Sequence, residues 1–154
     1  MDTEQIIKKL NWFYSLEKNQ VELYLAQSKR VNDIYLEKML ERASTIEQGH
    51  VENISRQIER FGGTPTLLGD VVSPILGKTG GQLTASLGVI PMLKADMLLE
   101  QKAMSDYKDF IMRVGHDEEL FDLLWSNLID EDLHTSWFAG KIEELENRGR
   151  SQRH

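Results

Sequence analysis

Residues 128–138 read Leu128-Ile129-Asp130-Glu131-Asp132-Leu133-His134-Thr135-Ser136-Trp137-Phe138. Leu128 and Phe138 belong to a stripe, with Leu120, Leu124, Ile142 and Leu145, that recurs at the three-and-four spacing of one helical face. Where the next apolar residue of that stripe is due, Glu131 and His134 stand instead. Side chains three apart on a helix share a face, so the carboxylate and the imidazole point together into whatever the stripe covers. The spacing recurs at Glu47-Gln48-Gly49-His50, in the gap between Ala43 and Ile54 of a second stripe. Two further stripes are each interrupted by one carboxylate, Glu17 between Phe13 and Val21 and Glu100 between Leu93 and Ala103. Thirty residues separate Glu17 from Glu47 and 31 separate Glu100 from Glu131, so the pattern occurs twice in matching order.

Working outward, Pro65, Pro74 and Pro91 all fall mid-chain, leaving both flanks free of the strongest helix breaker. The spacing predicts a first helix from Thr3 to about Ser28, with Ile6, Leu10, Phe13, Val21 and Tyr24 on its face. A second starts at the capping pair Asn32-Asp33, presents Tyr35, Met39, Ala43, Ile46, Ile54, Ile58 and Phe61, and stops at Gly62-Gly63-Thr64-Pro65. A third begins between Gln82 and Met92 and ends at Gly115, with Leu93, Ala103, Tyr107, Phe110 and Val114 inward. The fourth runs from about Asp117 to Asn147, and residues 148–154 read as a frayed tail. Thr66 to about Gly88 is apolar, Gly-rich and nearly uncharged, and reads as a long crossover containing a short helix. The fold expected is all-α, a four-helix bundle over residues 1–147 with that crossover between its second and third helices.

Composition narrows the chemistry. A chain of 154 residues with 40% hydrophobic content fits one domain with a real core. With no cysteine, any metal must be held by carboxylate and imidazole. A net charge of −7 repels phosphate backbones and argues against nucleic acid. The acidic start, Met1-Asp2-Thr3-Glu4, is unlike a signal peptide and no apolar run is long enough to span a membrane, so a cytoplasmic protein is expected.

Four carboxylates converging in a core oppose folding unless they take up protons or meet cations. No Lys or Arg lies on the four stripes, whereas two divalent metals would offset the charge, and oxygen with imidazole nitrogen suits iron or manganese. A Glu from each of two helices with a Glu-x-x-His from each of the other two is the pattern of ferritin-like dimetal proteins. The ligand set expected is Glu17, Glu47, His50, Glu100, Glu131 and His134. Glu47 and Glu131 bridge, Glu17 with His50 closes one end and Glu100 with His134 the other. Asp96 and Asn127, each four residues before a ligand, are candidates to orient the histidines. Tyr24 and Tyr107 each follow a ligand Glu by seven residues, which lets a phenol approach the site, although core packing also accounts for them. Trp12, Trp125 and Trp137 read as packing residues.

These residues resemble the ferritin-like superfamily from about Leu10 to Leu145. The second half is most similar to bacterioferritin and rubrerythrin, through Asp96-Met97-Leu98-Leu99-Glu100, Asp122-Leu123-Leu124 and Asp130-Glu131-Asp132-Leu133-His134 with Trp137 three residues on. The resemblance implies a di-iron oxidoreductase that meets dioxygen or peroxide and draws on an external electron donor. Gln48 stands where bacterioferritins carry a haem-ligating Met, and a rubredoxin-like cysteine module is lacking, so no haem is expected. No fifth helix follows Asn147, which argues against a large storage cage. The crossover, Pro65-Thr66-Leu67-Leu68 and the apolar stretch after it, resembles the demethoxyubiquinone hydroxylases. That likeness implies a quinone-like substrate and membrane-surface contact through residues 67–90, peripheral to the membrane. The competing function is that of a ferroxidase or peroxide-detoxifying protein of rubrerythrin or ferritin type. The apolar crossover is compatible with a homodimer, while the storage or detoxifying function usually goes with larger oligomers; the composition demands neither.

Overall fold

The computed structural model describes residues 1–77 and 87–153. Five helices follow in order, α1 (Thr3–Ser28), α2 (Ile34–Arg60), the single turn α3 (Ser73–Leu76), α4 (Val89–Arg113) and α5 (Glu118–Ser151). The four long helices form the expected bundle, with the crossover and its short helix between α2 and α4.

Each boundary has a local cause. Asp2 opens α1 with a capping box, accepting from Gln5 N at 2.8 Å while Gln5 Oε1 accepts from Asp2 N at 3.0 Å. Asp33 and Asp117 cap α2 and α5 through the amides of Leu36 and Leu120. Gly62, at φ +85°, turns the chain out of α2, and Gly63 N closes on Ile58 O at 2.9 Å. The third long helix, expected to start between Gln82 and Met92, begins at Val89. α5 runs four residues past the boundary expected at Asn147. Glu144 pairs with Arg148 one turn on, and Arg148 and Arg150 sit in the last turn, where cations complement the helix dipole.

α1 packs along α2 and α4 along α5, giving two hairpins joined by the crossover. The stacked rings of Phe13 and Tyr107, 4.0 Å between centroids, stitch one hairpin to the other. Thr66 N donates to Asn11 Oδ1 at 2.7 Å and Leu68 N to Ser15 Oγ at 2.9 Å, tying the crossover to α1. Val71 and Leu76 are buried beneath it. Part of the segment expected to touch a membrane, residues 78–86, lies outside the described residues, as does His154. No described helix is long and apolar enough to cross a membrane.

The inward face of early α2 differs from expectation. Leu36 and Leu40 are buried there, while Tyr35 is 63% exposed and Met39 is half-buried. Leu36 and Leu40 continue in phase through Ala43, Glu47, His50, Ile54 and Ile58, a run that Tyr35 and Met39 miss by one position. Trp125 is likewise exposed rather than packed inside. The core itself falls into two clusters, one around Phe13, Tyr107 and Phe110, the other around Tyr24, Leu40 and Phe138. Six ionisable residues lie on the same four helices between those clusters.

Candidate metal centre

Each of the four long helices delivers its share of those residues from its buried stripe. Glu17 comes from α1, Glu47 and His50 from α2, Glu100 from α4, and Glu131 and His134 from α5, and all six are at most 3% exposed. They gather into two overlapping groups. Glu17, Glu47, His50 and Glu131 offer ligand atoms within 4.8 Å of one another, and so do Glu47, Glu100, Glu131 and His134. Glu47 and Glu131 belong to both groups, the two residues expected to bridge.

The histidines aim Nδ1 at the carboxylates. His50 Nδ1 lies 2.9 Å from Glu47 Oε2, 3.1 Å from Glu131 Oε1 and 3.4 Å from Glu17 Oε2. His134 Nδ1 lies 3.1 Å from Glu47 Oε1 and 3.4 Å from Glu100 Oε1. The outer nitrogen of His50 is fixed by Asp130 Oδ2 at 2.8 Å, an arrangement that orients the ring.

Both tyrosines reach the cluster, and both cross to the other hairpin. Tyr107 donates to Glu17 Oε1 at 2.5 Å, and Tyr24 donates to Glu100 Oε1. Seven residues along a helix is a rise of about 10 Å, too far for a phenol to reach the Glu on its own helix. Asn127 Nδ2 donates to the Tyr107 hydroxyl at 3.1 Å, and Gln20 Nε2 to that of Tyr24 at 3.2 Å. Asn127 thus acts on a tyrosine. Asp96 Oδ1 accepts from Gln27 Nε2 at 2.8 Å. Among the described residues, the one hydrogen-bonded to a histidine ring beyond the six is Asp130, which the sequence reading passed over.

Electrostatics show what this arrangement costs by itself. Burial, followed by the charges of Glu17 and Glu100, pushes Glu47 well above the usual carboxylate range. Burial, then Glu100, Glu17 and Glu47, does the same to Glu131. Burial also raises Asp96 well above its ordinary value, Gln27 opposing and Glu100 adding to the rise. Glu17 goes the other way. Burial opposes its ionisation, but the charge of His50 and hydrogen bonds from Glu47, His50 and Tyr107 hold it at about 2. Against the pull of burial, Glu17 raises His50 well above 6.5, and Glu100 and Glu47 raise His134 to about 10. Burial and the facing glutamates push both phenols well above 10. Without cations, then, the cluster balances its charge by holding protons.

The residues fit a pair of cations. Glu100 Oε2, Glu131 Oε2 and His134 Nε2 are fully buried with no hydrogen bond, and the buried Glu47 Oε2 and Glu131 Oε1 both face one nitrogen, His50 Nδ1, in ion-pair contact without a hydrogen bond of their own. Buried carboxylate oxygens are rarely left so; apart from Asp96 Oδ2, those found here belong to the two overlapping groups. Oxygen and imidazole donors of this kind suit iron or manganese.

Fold and cluster together define a ferritin-like helical bundle with a buried carboxylate and histidine centre. Among solved structures, the chain is similar to a dodecameric thioferritin, the bacterioferritin-related protein from Bacteroides fragilis, with a TM-score of 0.81. That likeness has 18% sequence identity and covers 98% of this chain and 92% of that one. No protein-family model matches the sequence, and no curated protein matches it.

Proposed function

We propose that this chain is a di-iron protein of ferritin-like type that oxidises Fe(II) with dioxygen or peroxide. The observation that carries the reading is the sharing of Glu47 and Glu131 between two ligand groups, with their buried oxygens turned inward. Glu17 and His50 close one end, and Glu100 and His134 the other. Two Fe(II) ions held there supply two electrons, matching the reduction of peroxide to water or of dioxygen to peroxide.

The chain's own residues supply the rest. Glu17 enters as an anion, while Glu47, Glu131 and both histidines must shed protons before they can ligate. Tyr24 and Tyr107 fix the terminal glutamates by a hydrogen bond each. Phe13, Tyr107, Phe138 and Leu128, from the flanking clusters, exclude water above and below. Manganese shares these donors.

A second reading, hydroxylation of a quinone-like substrate with electrons from an external donor, draws on one observation. A groove of about 590 Å³ lies between the crossover and the bundle, lined by Trp12, Val71, Pro74, Ile75 and Leu98 together with the polar Asp70, Gln101 and Lys102. Its binding partner would be an apolar ring presented at a membrane surface, against which Leu67 and Leu68 are exposed. Vesicle sedimentation separates the readings, since only the second calls for membrane affinity. A soluble homo-oligomer is the assembly expected of the first, in keeping with the dodecamer formed by the Bacteroides fragilis protein.

The deciding experiment is metal content per chain after anaerobic reconstitution with Fe(II), followed by the optical spectrum as air is admitted. Two irons per chain and a new ligand-to-metal band are expected. Glu47→Ala and Glu131→Ala should lower occupancy at both positions, whereas His50→Ala or His134→Ala should spare one. A chain that binds no iron, or a Glu131→Ala protein that keeps both ions, overturns the assignment.

A further inference from the structure

The outward side of α5 is apolar where a solvated helix is polar. Phe121, Trp125, Ile129 and Leu133 recur every fourth residue and expose 38%, 44%, 56% and 62% of their surface. Residues four apart on a helix form a continuous ridge inclined to its axis, here about 18 Å long from Phe121 to Leu133. Glu131 and His134 point inward from the same turns and take no part in it. Beside the ridge, Met112 of α4 is 84% exposed, one turn beyond Lys108. A hollow of about 230 Å³, lined by Met104, Lys108, Trp125, Leu128, Ile129 and Asp132, runs along the same flank. The outward side of α2, by contrast, is apolar at its first turn alone, at Ile34 and Tyr35, and beyond it carries Lys38, Arg42, Thr45, Glu52 and Arg56.

We propose that the α5 ridge is the two-fold interface between two copies of this chain. Its shape favours a copy of itself, because rows spaced by four pack into the grooves between identical rows at a crossing of about −50°, the commonest helix packing. The hollow gives each ridge a recess into which the partner's side chains fit. The area is sufficient as well. At about 200 Å² for a fully exposed large side chain, the four ridge residues and Met112 present roughly 570 Å² of apolar surface. Homodimer interfaces are about 65% apolar, so such a patch belongs to an interface of roughly 900 Å² per partner, above the usual value of about 800 Å².

Charge agrees with that arrangement. Lys108 lies on the α4 flank of the ridge, in the same hollow as Asp132, and Asp122 lies about 100° round α5 from Phe121, on the other flank. A two-fold axis running roughly along α5 brings opposite flanks together, so Lys108 of one copy faces Asp122 of the other.

The test is molar mass by sedimentation equilibrium, with far-UV circular dichroism to confirm the fold. The wild type is expected to be a dimer or a larger closed assembly. Ile129→Glu and Trp125→Glu should raise the dissociation constant, or break the assembly into smaller parts, by roughly 30-fold or more, the scale of an interface hot spot. Because the chain has no cysteine, Ile129→Cys gives a second and independent readout. It should cross-link to itself under mild oxidation, while Thr45→Cys on α2 should not. A wild type that remains monomeric to about 100 µM overturns the proposal. So does an assembly whose mass is unchanged in Ile129→Glu, and so does a wild-type monomer that gains mass only on lipid vesicles.

Discussion

Replacing Glu131 with Gln should make the metal-free protein more stable and the metal-loaded protein less so. Both oxygens of Glu131 are buried, Oε1 facing His50 Nδ1 and Oε2 without a hydrogen bond, and burial together with Glu100, Glu17 and Glu47 raises its pKa well above 4.5. A carboxyl whose folded pKa is raised imposes no penalty below its unfolded pKa. Above it, the folded chain must hold a proton that the unfolded chain releases, so stability falls as pH rises. The cost is about 1.4 kcal/mol for each pH unit over which the folded chain holds that proton and the unfolded chain does not. Gln has the same shape and no such penalty, but His50, whose Nδ1 is 3.1 Å from Glu131, loses an anionic neighbour. The net gain expected is about 1–3 kcal/mol at pH 7, or roughly 2–10 °C in melting temperature for a chain of this size. The assay is thermal unfolding of chelator-treated wild type and Glu131→Gln at pH 5 and pH 7.5, with and without Mn(II). The gap should open between pH 5 and pH 7.5 and reverse when metal is added. A Glu131→Gln protein no more stable than wild type at pH 7.5 would show that the apo chain already compensates the carboxylate, and the electrostatic case for bound cations would fail.

Three further substitutions test the surroundings of single residues. Tyr107→Phe removes the hydroxyl shared by Glu17 and Asn127 and should cost about 1–3 kcal/mol in denaturant unfolding, through the buried partners it leaves unpaired. Gly63→Ala places a Cβ 2.8 Å from Ile7 Cγ2 and 3.1 Å from Ile58 Cγ2, and should lower stability by about 1–3 kcal/mol. Gly140→Ala, in a helical position with nothing within 4 Å, should raise it by about 0.5–1 kcal/mol in the same measurement.

The bundle and its six inward residues were legible because they obey one rule. Buried positions on α1 run Ile6, Leu10, Phe13, Glu17, Gln20, Tyr24 and Gln27, alternating steps of four and three. Those on α5 run Leu120, Leu124, Asn127, Glu131, His134, Phe138 and Lys141 in the same steps, so one lysine does lie on a buried stripe, contrary to expectation, where it pairs with Asp33 and Glu144 rather than with the six. That regularity is the pattern of helices packed side by side, and a Glu or His within it is displaced from water whatever its neighbours. α2 was misread where two apolar runs, Tyr35 with Met39 and Leu36 with Leu40, compete one residue apart. Continuing each run through Glu47 and His50 selects the second. Asp130 was not legible in this way. It stands next to Glu131, turned about 100° towards the side of the helix, and its hydrogen bond to His50 depends on α2 being the neighbour there. The tyrosines needed the same information, since their partners lie across the bundle.

The two halves of the centre are near repeats, and their differences bear on how metals load. Glu17 and Glu100 are 83 residues apart, as are Tyr24 and Tyr107, while Glu47 and Glu131, like His50 and His134, are 84 apart. Core leucines keep the same offsets, Leu10 with Leu93 and Leu36 with Leu120, but the hydrogen-bonding residues around the centre do not. Asp130 corresponds to Ile46 and Asn127 to Ala43, so the hydrogen-bonding groups supplied by α5 have no counterparts on α2. His50 is therefore held from behind by Asp130 at 2.8 Å, whereas Nε2 of His134 makes no hydrogen bond. A histidine fixed by an outer carboxylate binds metal about 10–100-fold more tightly than one left free. The position built on Glu17 and His50 should fill first, with Glu47 and Glu131 drawn towards it, and the position at Glu100 and His134 second. Anaerobic Co(II) titration followed by its visible bands should resolve two unequal steps in the wild type. In Asp130→Ala the tighter step should weaken until the two merge. Equal affinities in the wild type, or two unchanged steps in Asp130→Ala, would mean that the shared carboxylates, not the orientation of His50, set the order of filling.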